Sequence, residues 1–266
     1  MTVAASAVDG LNVVEHRSHR EIRTDRPVLL LHGIGGSADS CAPLAERLAA
    51  AGVPSWCLDA PGYGRSADPM PGVDVVAAVI DLIERTWPAQ PVTLLGTSWG
   101  GVVAIAVALR RPEIVAALVL ADSTRGSGTT AGKADAMLAR IAELRERGAD
   151  AVAAERAPRL TAPGAAPIVC QTVRRSMADI RIPGFTAAAE FMATTDHGPD
   201  LARVDCPTLV LVGEHDVITG VDESRALANG IRGAQLHIIG AAGHVAVQER
   251  PDTVADLVLE FLGGLS

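Results

Sequence analysis

Aromatic residues are scarce in this chain of 266 residues, of which Phe, Trp and Tyr together make up 3%. Proteins that bind single-stranded nucleic acids stack the bases on aromatic side chains, so this scarcity counts against such a function. Basic residues are also few: 23 Lys and Arg stand against 31 Asp and Glu, a formal net charge of −8. Because this charge repels phosphate backbones and anionic lipid surfaces, we expect neither a nucleic acid nor a membrane as a partner.

Long apolar stretches are absent as well. The longest, 102–109, falls far short of the ~20 residues that a helix needs to cross a bilayer. Residues 1–10 contain neither a basic segment nor a long apolar one, so the sequence predicts no secretory signal. The expected protein is soluble and cytoplasmic, and its expected partner is a small-molecule substrate.

Metal-binding patterns are missing too. No two of the four cysteines form a C-x-x-C pair: they are Cys41, Cys57, Cys170 and Cys206. We therefore expect neither a zinc ribbon nor a thioredoxin-like dithiol, and we expect Cys57 and Cys206 to be buried free thiols. His16 and His19 are spaced as metal ligands can be, but no third ligand stands near them, so we expect both to be solvated.

Hydrophobic residues make up 48% of the chain, enough for a sizeable core. Short aliphatic runs, typical of strands covered on both faces, alternate with helical patterns. This alternation predicts an α/β fold with a mostly parallel sheet flanked by helices. The predicted strands are 28–31, 55–58, 92–95, 117–120, 208–212 and 236–239, with 11–16 as an antiparallel edge strand. The predicted helices are 42–51, 73–85, 100–110, 223–231 and 252–262.

One segment interrupts this alternation, because between residues 123 and 203 the only regular patterns are helical. The predicted helices there are 133–147, 149–156, 167–177 and 186–194. A helical block between two strands of a parallel sheet predicts a cap at one edge. We therefore divide the chain into a catalytic core, 1–122 and 204–266, and a helical cap, 123–203. Candidates in the cap for lining a pocket, or for packing between helices, are Met177, Met192, Phe185 and Phe191.

The sequence Gly96-Thr97-Ser98-Trp99-Gly100 matches the G-x-S-x-G pattern and stands between a predicted strand and a predicted helix. In that context a sharp turn holds the serine clear of the sheet, and side chains at the two glycine positions would collide with the turn. The first amides of the following helix favour negative charge that develops beside the serine. Ser98 is therefore the candidate nucleophile.

A serine hydroxyl needs a base, and the base needs a carboxylate that orients it. His244 and Asp216 each stand in a loop that follows a predicted strand. Because parallel strands end at the same edge of a sheet, both side chains can reach Ser98 there. The chain order Ser98, Asp216, His244 is the one expected of a serine hydrolase on this architecture. Asp122, which also follows a predicted strand, is the rival for the acid, and we favour Asp216.

These motifs resemble the α/β-hydrolase superfamily over essentially the whole chain. The stretch 32–36, His-Gly-Ile-Gly-Gly, resembles the family's oxyanion loop, and 59–66 resembles its D-x-P-G-x-G-x-S turn. The resemblance implies an α/β-hydrolase fold with an inserted helical cap, and no metal or organic cofactor. It also implies that the backbone amides of Ile34 and Trp99 form the oxyanion hole. We expect His32 to pack behind this loop.

The layout is similar to small carboxylesterases and 3-oxoadipate enol-lactonases, which predicts hydrolysis of a small ester or lactone through an acyl-enzyme. Meta-cleavage-product C–C hydrolases are also similar, although Thr97 and Val245 stand where they carry Asn and Trp. A second departure is that Thr219 and Gly220 stand where the family usually has a proline after the acid. Cofactor-free haloperoxidases share the triad, and ligand sensors exist on the same scaffold, so both alternatives stay open.

A dinucleotide-binding oxidoreductase that uses NAD(P) is the remote alternative. The stretch 33–38 satisfies G-x-G-x-x-[GA] after a strand, and Asp59 ends the next strand as a ribose-binding acid would. The following helical pattern begins near residue 42, too late to present its first amides to a pyrophosphate. This interpretation also leaves Ser98, Asp216 and His244 without a role.

Overall fold

The structure, a computed structural model, describes residues 2–8, 10–17 and 26–265. These residues form eight strands, β1 to β8: Thr2–Val8, Leu11–Arg17, Val28–Leu31, Ser55–Leu58, Val92–Thr97, Val115–Ala121, Thr208–Gly213 and Gln235–Ile239. One sheet holds them in the order β1-β2-β4-β3-β5-β6-β7-β8. The pairs β1–β2 and β2–β4 are antiparallel, and all other pairs are parallel. The predicted fold, a mostly parallel sheet flanked by helices, is therefore confirmed.

The same residues form nine α-helices, α1 to α9: Ala38–Ala50, Val75–Thr86, Trp99–Arg110, Ala131–Arg156, Pro167–Ala178, Ile182–Thr194, Gly220–Gly230, Ala246–Glu249 and Pro251–Gly263. Alternate residues of the central strands face opposite helical layers, because side chains alternate along a strand. Leu29 and Leu31 pack with α2 and α3, whereas Val28 and Leu30 pack with α1 and α9. This double cover explains why the central strands are continuous aliphatic runs.

Six strands, β3 to β8, run parallel and end at one edge of the sheet, and five of them, β3, β5, β6, β7 and β8, lead into loops of the candidate site. Their last residues are Leu31, Thr97, Ala121, Gly213 and Ile239. Each loop that follows one of these strands carries a residue singled out in the sequence: Ile34, Ser98, Asp122, Asp216 and His244. The topology alone therefore gathers the candidate site at the carboxyl edge.

Helices α4, α5 and α6 lie between β6 and β7, within the segment 123–203, which we call the helical insert. α4 is interrupted at Gly148, whose φ of 76° and ψ of 160° are not helical. The two helices predicted on either side of this residue are thus present as two halves of α4. Small apolar clusters hold the insert together, one around Ile141, Leu144 and Phe185 and another around Val173 and Met177. The division into a core and a cap stays a prediction.

Two predictions about the amino-terminal part are wrong. β2 is antiparallel, as expected, but it is not an edge strand, because β1 pairs along its outer side. β1 is missing from the predicted strands because three of its seven residues are alanine, which has a low strand propensity. His16 lies on β2 beneath α1 and is buried rather than solvated. His19 lies outside the described residues.

Helix α1 begins at Ala38, four residues before the predicted start. The prediction placed Pro43 in the first turn, where proline is favoured, but Pro43 lies deeper inside the helix. The earlier start is stabilised by Asp59, at the end of β4, whose Oδ1 accepts the amide of Ala38 at 2.7 Å. Asp59 Oδ2 also accepts the amide of Arg65 at 3.0 Å and Asn12 Nδ2 at 2.8 Å. One buried carboxylate thus joins a helix, a strand and a turn.

All four cysteines are free thiols, and Cys57 is buried as expected, whereas Cys206 is only half-buried. In the part of the chain that the structure describes, no helix combines the length and the apolar character needed to cross a bilayer.

We expect Asp59→Ala to lower the free energy of unfolding by about 2–4 kcal/mol, because it leaves buried donors without an acceptor. Urea denaturation followed by circular dichroism measures the change. Asp39→Ala is the matched control, because Asp39 lies in the first turn of α1, the helix that Asp59 stabilises. The Asp39 side chain is 73% exposed and forms an ion pair with Arg65 at 3.3 Å. This control should cost less than about 1 kcal/mol, and equal losses in the two variants would contradict the prediction.

Candidate active site

Ser98 stands at the sharp turn between β5 and α3. Its backbone has φ 50° and ψ −117°, a conformation that costs a residue other than glycine about 1–3 kcal/mol. A Cβ at Gly96 would lie 2.4 Å from the backbone of Gly100, and a Cβ at Gly100 would lie 2.2 Å from the Leu31 carbonyl oxygen. The collisions expected from the motif are therefore present. Only glycine at both positions allows the turn that holds Ser98 at the carboxyl edge.

His244 and Asp216 meet Ser98 from two separate loops, β8–α8 and β7–α7. His244 Nε2 lies 3.0 Å from Ser98 Oγ, and His244 Nδ1 lies 3.0 Å from Asp216 Oδ2. Because a carboxylate only accepts hydrogen bonds, Nδ1 carries the proton, which leaves Nε2 free to accept the proton of the serine hydroxyl. The structure thus brings the three predicted residues into one hydrogen-bonded line.

The electrostatics of this line favour charge separation. Asp216 Oδ1 accepts the amides of Ile218 and Thr219 at 2.7 and 3.2 Å, and Oδ2 accepts the Thr219 hydroxyl at 2.6 Å. Burial raises the pKa of Asp216, but His244 and these donors outweigh it and hold the pKa at about 2. Burial lowers the pKa of His244, but the hydrogen bond and charge of Asp216 outweigh it and raise the pKa above its usual value. The imidazolium form is therefore stabilised.

Asp122, the rival acid, holds a different place. Its two carboxylate oxygens accept the backbone amides of Gly213 at 2.8 Å and Ala246 at 3.0 Å. It makes no hydrogen bond to His244 within the described ranges. Burial raises the pKa of Asp122 to about 7, a rise that His244 opposes and the charge of Asp216 increases. Asp122 therefore ties the acid loop to the histidine loop, while Asp216 is the carboxylate that contacts the imidazole.

The two predicted oxyanion donors face the same space. Ile34 and Trp99 line the cavity that also contains the Ser98 side chain. A Cβ at Gly33 would lie 3.3 Å from Ser98 Cβ, so the loop that carries Ile34 packs directly against the serine. Among the described residues, neither the Ile34 amide nor the Trp99 amide has an acceptor. Two unused amides beside a serine hydroxyl can stabilise negative charge on a carbonyl oxygen.

His32 lies behind this loop and not in the cavity, as expected. It is buried, and its Nε2 accepts the amide of Ala60 at 3.2 Å, so its Nδ1 donates to the Gly33 carbonyl at 2.8 Å. Tyr63 and Trp99 pack against the imidazole, with ring centroids 4.8 and 5.8 Å away. Burial lowers the pKa of His32, which favours the neutral ring. His32 thereby fixes the position of the oxyanion loop.

A cavity of about 510 Å³ lies between the carboxyl edge and the helical insert, and Ser98 and His244 line it. The surface of its walls is mostly apolar, with Met177 and Met192 from the insert among the lining residues. Apart from the His244 imidazole, Trp99 is the only aromatic ring among the described residues that line the cavity. The other two pocket candidates, Phe185 and Phe191, instead pack within apolar clusters.

Two residues that the sequence analysis did not assign to the site hold its loops in place. Thr219 fixes Asp216 through both its amide and its hydroxyl, in the place where the family usually has a proline. A threonine three residues after an aspartate is a local turn pattern that carries this signal. Glu249 accepts the amides of Gly243 at 2.7 Å and Ala162 at 2.8 Å, which links the histidine loop to the insert. The contact between Glu249 and Ala162 joins residues that are 87 positions apart, so no local sequence pattern predicts it.

The dinucleotide interpretation meets two obstacles in this geometry. Gly33, the first glycine of the pattern, packs against Ser98. The first amide of α1, that of Ala38, donates to Asp59, so a protein carboxylate occupies the place that a pyrophosphate would need. The argument from a late helix start is wrong, since α1 begins at Ala38. For metals, the described residues contain no cluster of three His, Cys, Asp or Glu side chains that is able to hold an ion.

Comparison with known proteins identifies the family of this chain. A family model described as alpha/beta hydrolase fold matches residues 26–251, most of the chain. The chain belongs to this family. The resemblance that rested on the serine, acid and histidine motifs is thereby confirmed at the level of family and fold.

Individual relatives indicate which kinds of hydrolase this chain is similar to. The 3-oxoadipate enol-lactonase 2 of Acinetobacter baylyi is 28% identical over 205 residues, which are 73% of this chain and 73% of its own. A 2-hydroxy-6-oxononadienedioate/2-hydroxy-6-oxononatrienedioate hydrolase of Escherichia coli is 28% identical over 253 residues, 90% of this chain and 87% of its own. A thermophilic esterase of Thermogutta terrifontis, solved with malate bound, gives a TM-score of 0.86 at 27% identity, covering 100% of this chain and 99% of its own. The family and these relatives support a hydrolase activity.

The titration of His244 tests the electrostatic description of the site. We expect its imidazole to titrate above 6.5 in the wild type, because Asp216 stabilises the charged ring. In Asp216→Asn burial remains without the compensating charge, so the pKa of His244 should fall below that of the wild type. NMR of the imidazole resonances measures both values. His32 is the internal reference and should titrate below 6.5 in both proteins; an unchanged His244 would contradict the assignment.

Proposed function

We propose that this protein is a serine hydrolase that cleaves a small carboxylic ester or lactone through an acyl-enzyme. The observation that carries the proposal is the line of two 3.0 Å contacts from Ser98 Oγ through His244 to Asp216. The enol-lactonase and esterase relatives support the same reaction class. Because Trp99 is the one ring besides His244 among the described lining residues, short aliphatic acyl groups fit this cavity better than bulky aromatic ones.

The first half of the proposed reaction forms the acyl-enzyme. Ser98 Oγ attacks the carbonyl carbon while His244 Nε2 takes the hydroxyl proton, and Asp216 stabilises the resulting imidazolium. The carbonyl oxygen becomes an oxyanion held by the amides of Ile34 and Trp99, each worth about 3 kcal/mol in measured cases. When the intermediate collapses, the C–O bond to the alcohol breaks and His244 gives its proton to the leaving oxygen. In a lactone the released hydroxyl stays attached to the acyl group.

The second half releases the product. A water molecule gives a proton to His244 Nε2 and attacks the acyl carbonyl, which restores the oxyanion at the same two amides. Collapse then breaks the bond to Ser98 Oγ, which recovers its proton from His244, and a carboxylic acid leaves. Both halves need a neutral imidazole at the start. Because the pKa of His244 is raised, activity should fall as the pH drops through that raised value.

Hydrolysis of a carbon–carbon bond is the second candidate. It is supported by the identity with the Escherichia coli hydrolase, which extends over 90% of this chain. Against it stand Thr97 beside the serine and Val245 beside the histidine, where hydrolases of that type usually carry Asn and Trp. A panel of short esters, lactones and dienoic ketones distinguishes the two, since the substrate class with the highest kcat/KM identifies the reaction.

We expect Ser98→Ala to lower kcat for a p-nitrophenyl butyrate ester by about 10⁴-fold or more, because no other group forms the acyl-enzyme. Release of p-nitrophenol measures the rate, and thermal unfolding verifies that the fold is intact. A fluorophosphonate should label the wild type at Ser98, located by mass spectrometry. Labelling of another serine would refute the assignment, and a single turnover with the acyl group retained would favour a ligand sensor.

The two acids near His244 are distinguished by paired variants. Asp216→Asn should lower kcat by about 10³–10⁴-fold, because an amide in place of the carboxylate no longer stabilises the imidazolium. Asp122→Asn should lower kcat less than about tenfold but reduce stability, since the Asp122 carboxylate accepts two backbone amides and makes no hydrogen bond to His244 among the described residues. Initial rates and urea denaturation of the same samples separate the two effects. A larger loss of kcat in Asp122→Asn would move the role of the acid to Asp122.

A further inference from the structure

The charge of the cavity is opposite to that of the whole protein. The chain carries a formal net charge of −8, yet the charged residues that line the cavity are four cations and one carboxylate. They are Lys133, Arg140, Arg156, Arg159 and Glu223. A cavity with an excess of positive charge attracts anionic ligands and concentrates them near the reacting groups.

Two of these five charges are already neutralised within the protein. Glu223 forms a bidentate ion pair with Arg125, with contacts of 2.8 and 3.1 Å. Arg156 pairs with Glu143 at 2.5 Å. Lys133 and Arg159 are exposed at the rim, where water solvates their charges. Arg140 is the remaining charge, and no carboxylate of the described residues forms an ion pair with it.

The surroundings of Arg140 hold its guanidinium in place without neutralising it. The guanidinium carbon lies 5.3 Å from the centroid of the Phe185 ring, and Nη1 lies 3.6 Å from Met137 Sδ. The Nε atom is buried and has no hydrogen-bond partner in the described part of the chain. Burial, and then the charge of Arg156, lower the pKa of Arg140 to about 10, so it stays protonated at neutral pH. A positioned, protonated and unpaired arginine is suited to bind a carboxylate.

The position of Arg140 relates it to the reacting groups. Lys133, Ala136, Met137 and Arg140 follow the i, i+3, i+4, i+7 spacing of one helix face, and this face of α4 lines the cavity. Ser98 and His244, at the carboxyl edge of the sheet, line the same cavity as Arg140. Burial, and to a smaller extent the charge of Arg140, oppose the rise in the pKa of His244 that Asp216 causes.

We propose that Arg140 binds a carboxylate at the end of the substrate remote from the scissile carbonyl, so that the cavity selects short aliphatic esters or lactones that carry a free carboxylate. Apolar side chains such as Ile34, Met137 and Met177 line the same cavity and suit the methylene chain that joins the two groups. The kinetic part of this inference rests on the proposed hydrolase function. The binding part does not, because Arg140 binds a carboxylate whether or not Ser98 reacts.

A pair of esters that differ in charge tests the kinetic part. Mono-p-nitrophenyl glutarate carries the remote carboxylate, and p-nitrophenyl pentanoate is a neutral ester of similar length. We expect the wild type to hydrolyse the anionic ester with a kcat/KM at least about tenfold higher. Arg140→Gln should lower kcat/KM for the anionic ester about 10–100-fold, mainly through KM, and change that for the neutral ester less than about threefold. Arg140→Lys should recover part of the loss.

Two controls keep the kinetic result specific. Arg145→Gln removes an exposed charge from the same helix, outside the cavity lining, and should leave both esters within about twofold. In the wild type, added NaCl should raise KM for the anionic ester and leave the neutral ester unchanged, a measurement that needs no folded variant. Equal kcat/KM for both esters, unaffected by Arg140→Gln or salt, would overturn the inference and leave the hydrolase proposal intact.

A binding experiment separates the inference from the proposed reaction. Glutarate should bind Ser98→Ala in isothermal titration calorimetry, and its affinity should fall at least about tenfold in the Ser98→Ala, Arg140→Gln double variant. If the wild type hydrolyses neither ester while glutarate binding to Ser98→Ala still depends on Arg140, the carboxylate site is retained and the hydrolase function is refuted. Glutarate affinity that is equal in the two proteins would refute the carboxylate site.

Discussion

The site depends on one close approach of backbone to backbone. Between β5 and α3 the chain turns in so little space that Gly96 lies against Gly100, and Gly100 lies against Leu31 of the neighbouring strand. The turn forces Ser98 to a positive φ at a cost of about 1–3 kcal/mol, which the buried strand and helix on either side stabilise. The same turn places Oγ at the sheet edge and leaves the Trp99 amide without an acceptor among the described residues. The proposed nucleophile and one of the proposed oxyanion donors therefore result from one local constraint.

The parallel sheet brings the loops that carry Asp216 and His244 to the same edge as Ser98. The same topology places a second carboxylate, that of Asp122, close to the His244 imidazole. The surroundings of Asp216 and of Asp122 give the two carboxylates different charge states and contacts. Asp216 has donors on both oxygens and a pKa of about 2, so it is an anion beside His244. Asp122 is held by two backbone amides, and burial raises its pKa to about 7, so it contributes less negative charge at neutral pH. Two acids whose pKa values are driven apart can share a site without competing for the histidine.

Much of this arrangement follows from local sequence pattern, and the exceptions share a cause. The strands Val28–Leu31 and Ser55–Leu58 coincide with their predicted bounds, because strands buried on both faces are short aliphatic runs. The Ser98 motif predicts the nucleophile because its glycines are a steric requirement. The start of α1 was missed because the carboxylate that stabilises it comes from Asp59, 21 residues away. The pairing state of Arg140 is likewise set by residues brought near it only by folding, which no local pattern contains.

In the proposed site, the reacting groups lie on the sheet edge and the group that selects the substrate lies in the helical insert. Unpaired buried charge is unfavourable for folding, and an apolar side chain at position 140 would pack against Phe185 at lower cost. Other arginines of the insert do form ion pairs; Arg156, for example, contacts Glu143 at 2.5 Å. Arg140 faces the cavity with its Nε atom buried, and it forms no ion pair within the described structure. Retained instability of this kind is typical of functional positions. Function depends on sites carried by a fold and not on the fold alone, and the proposed site combines groups at the sheet edge with a charged side chain of the insert.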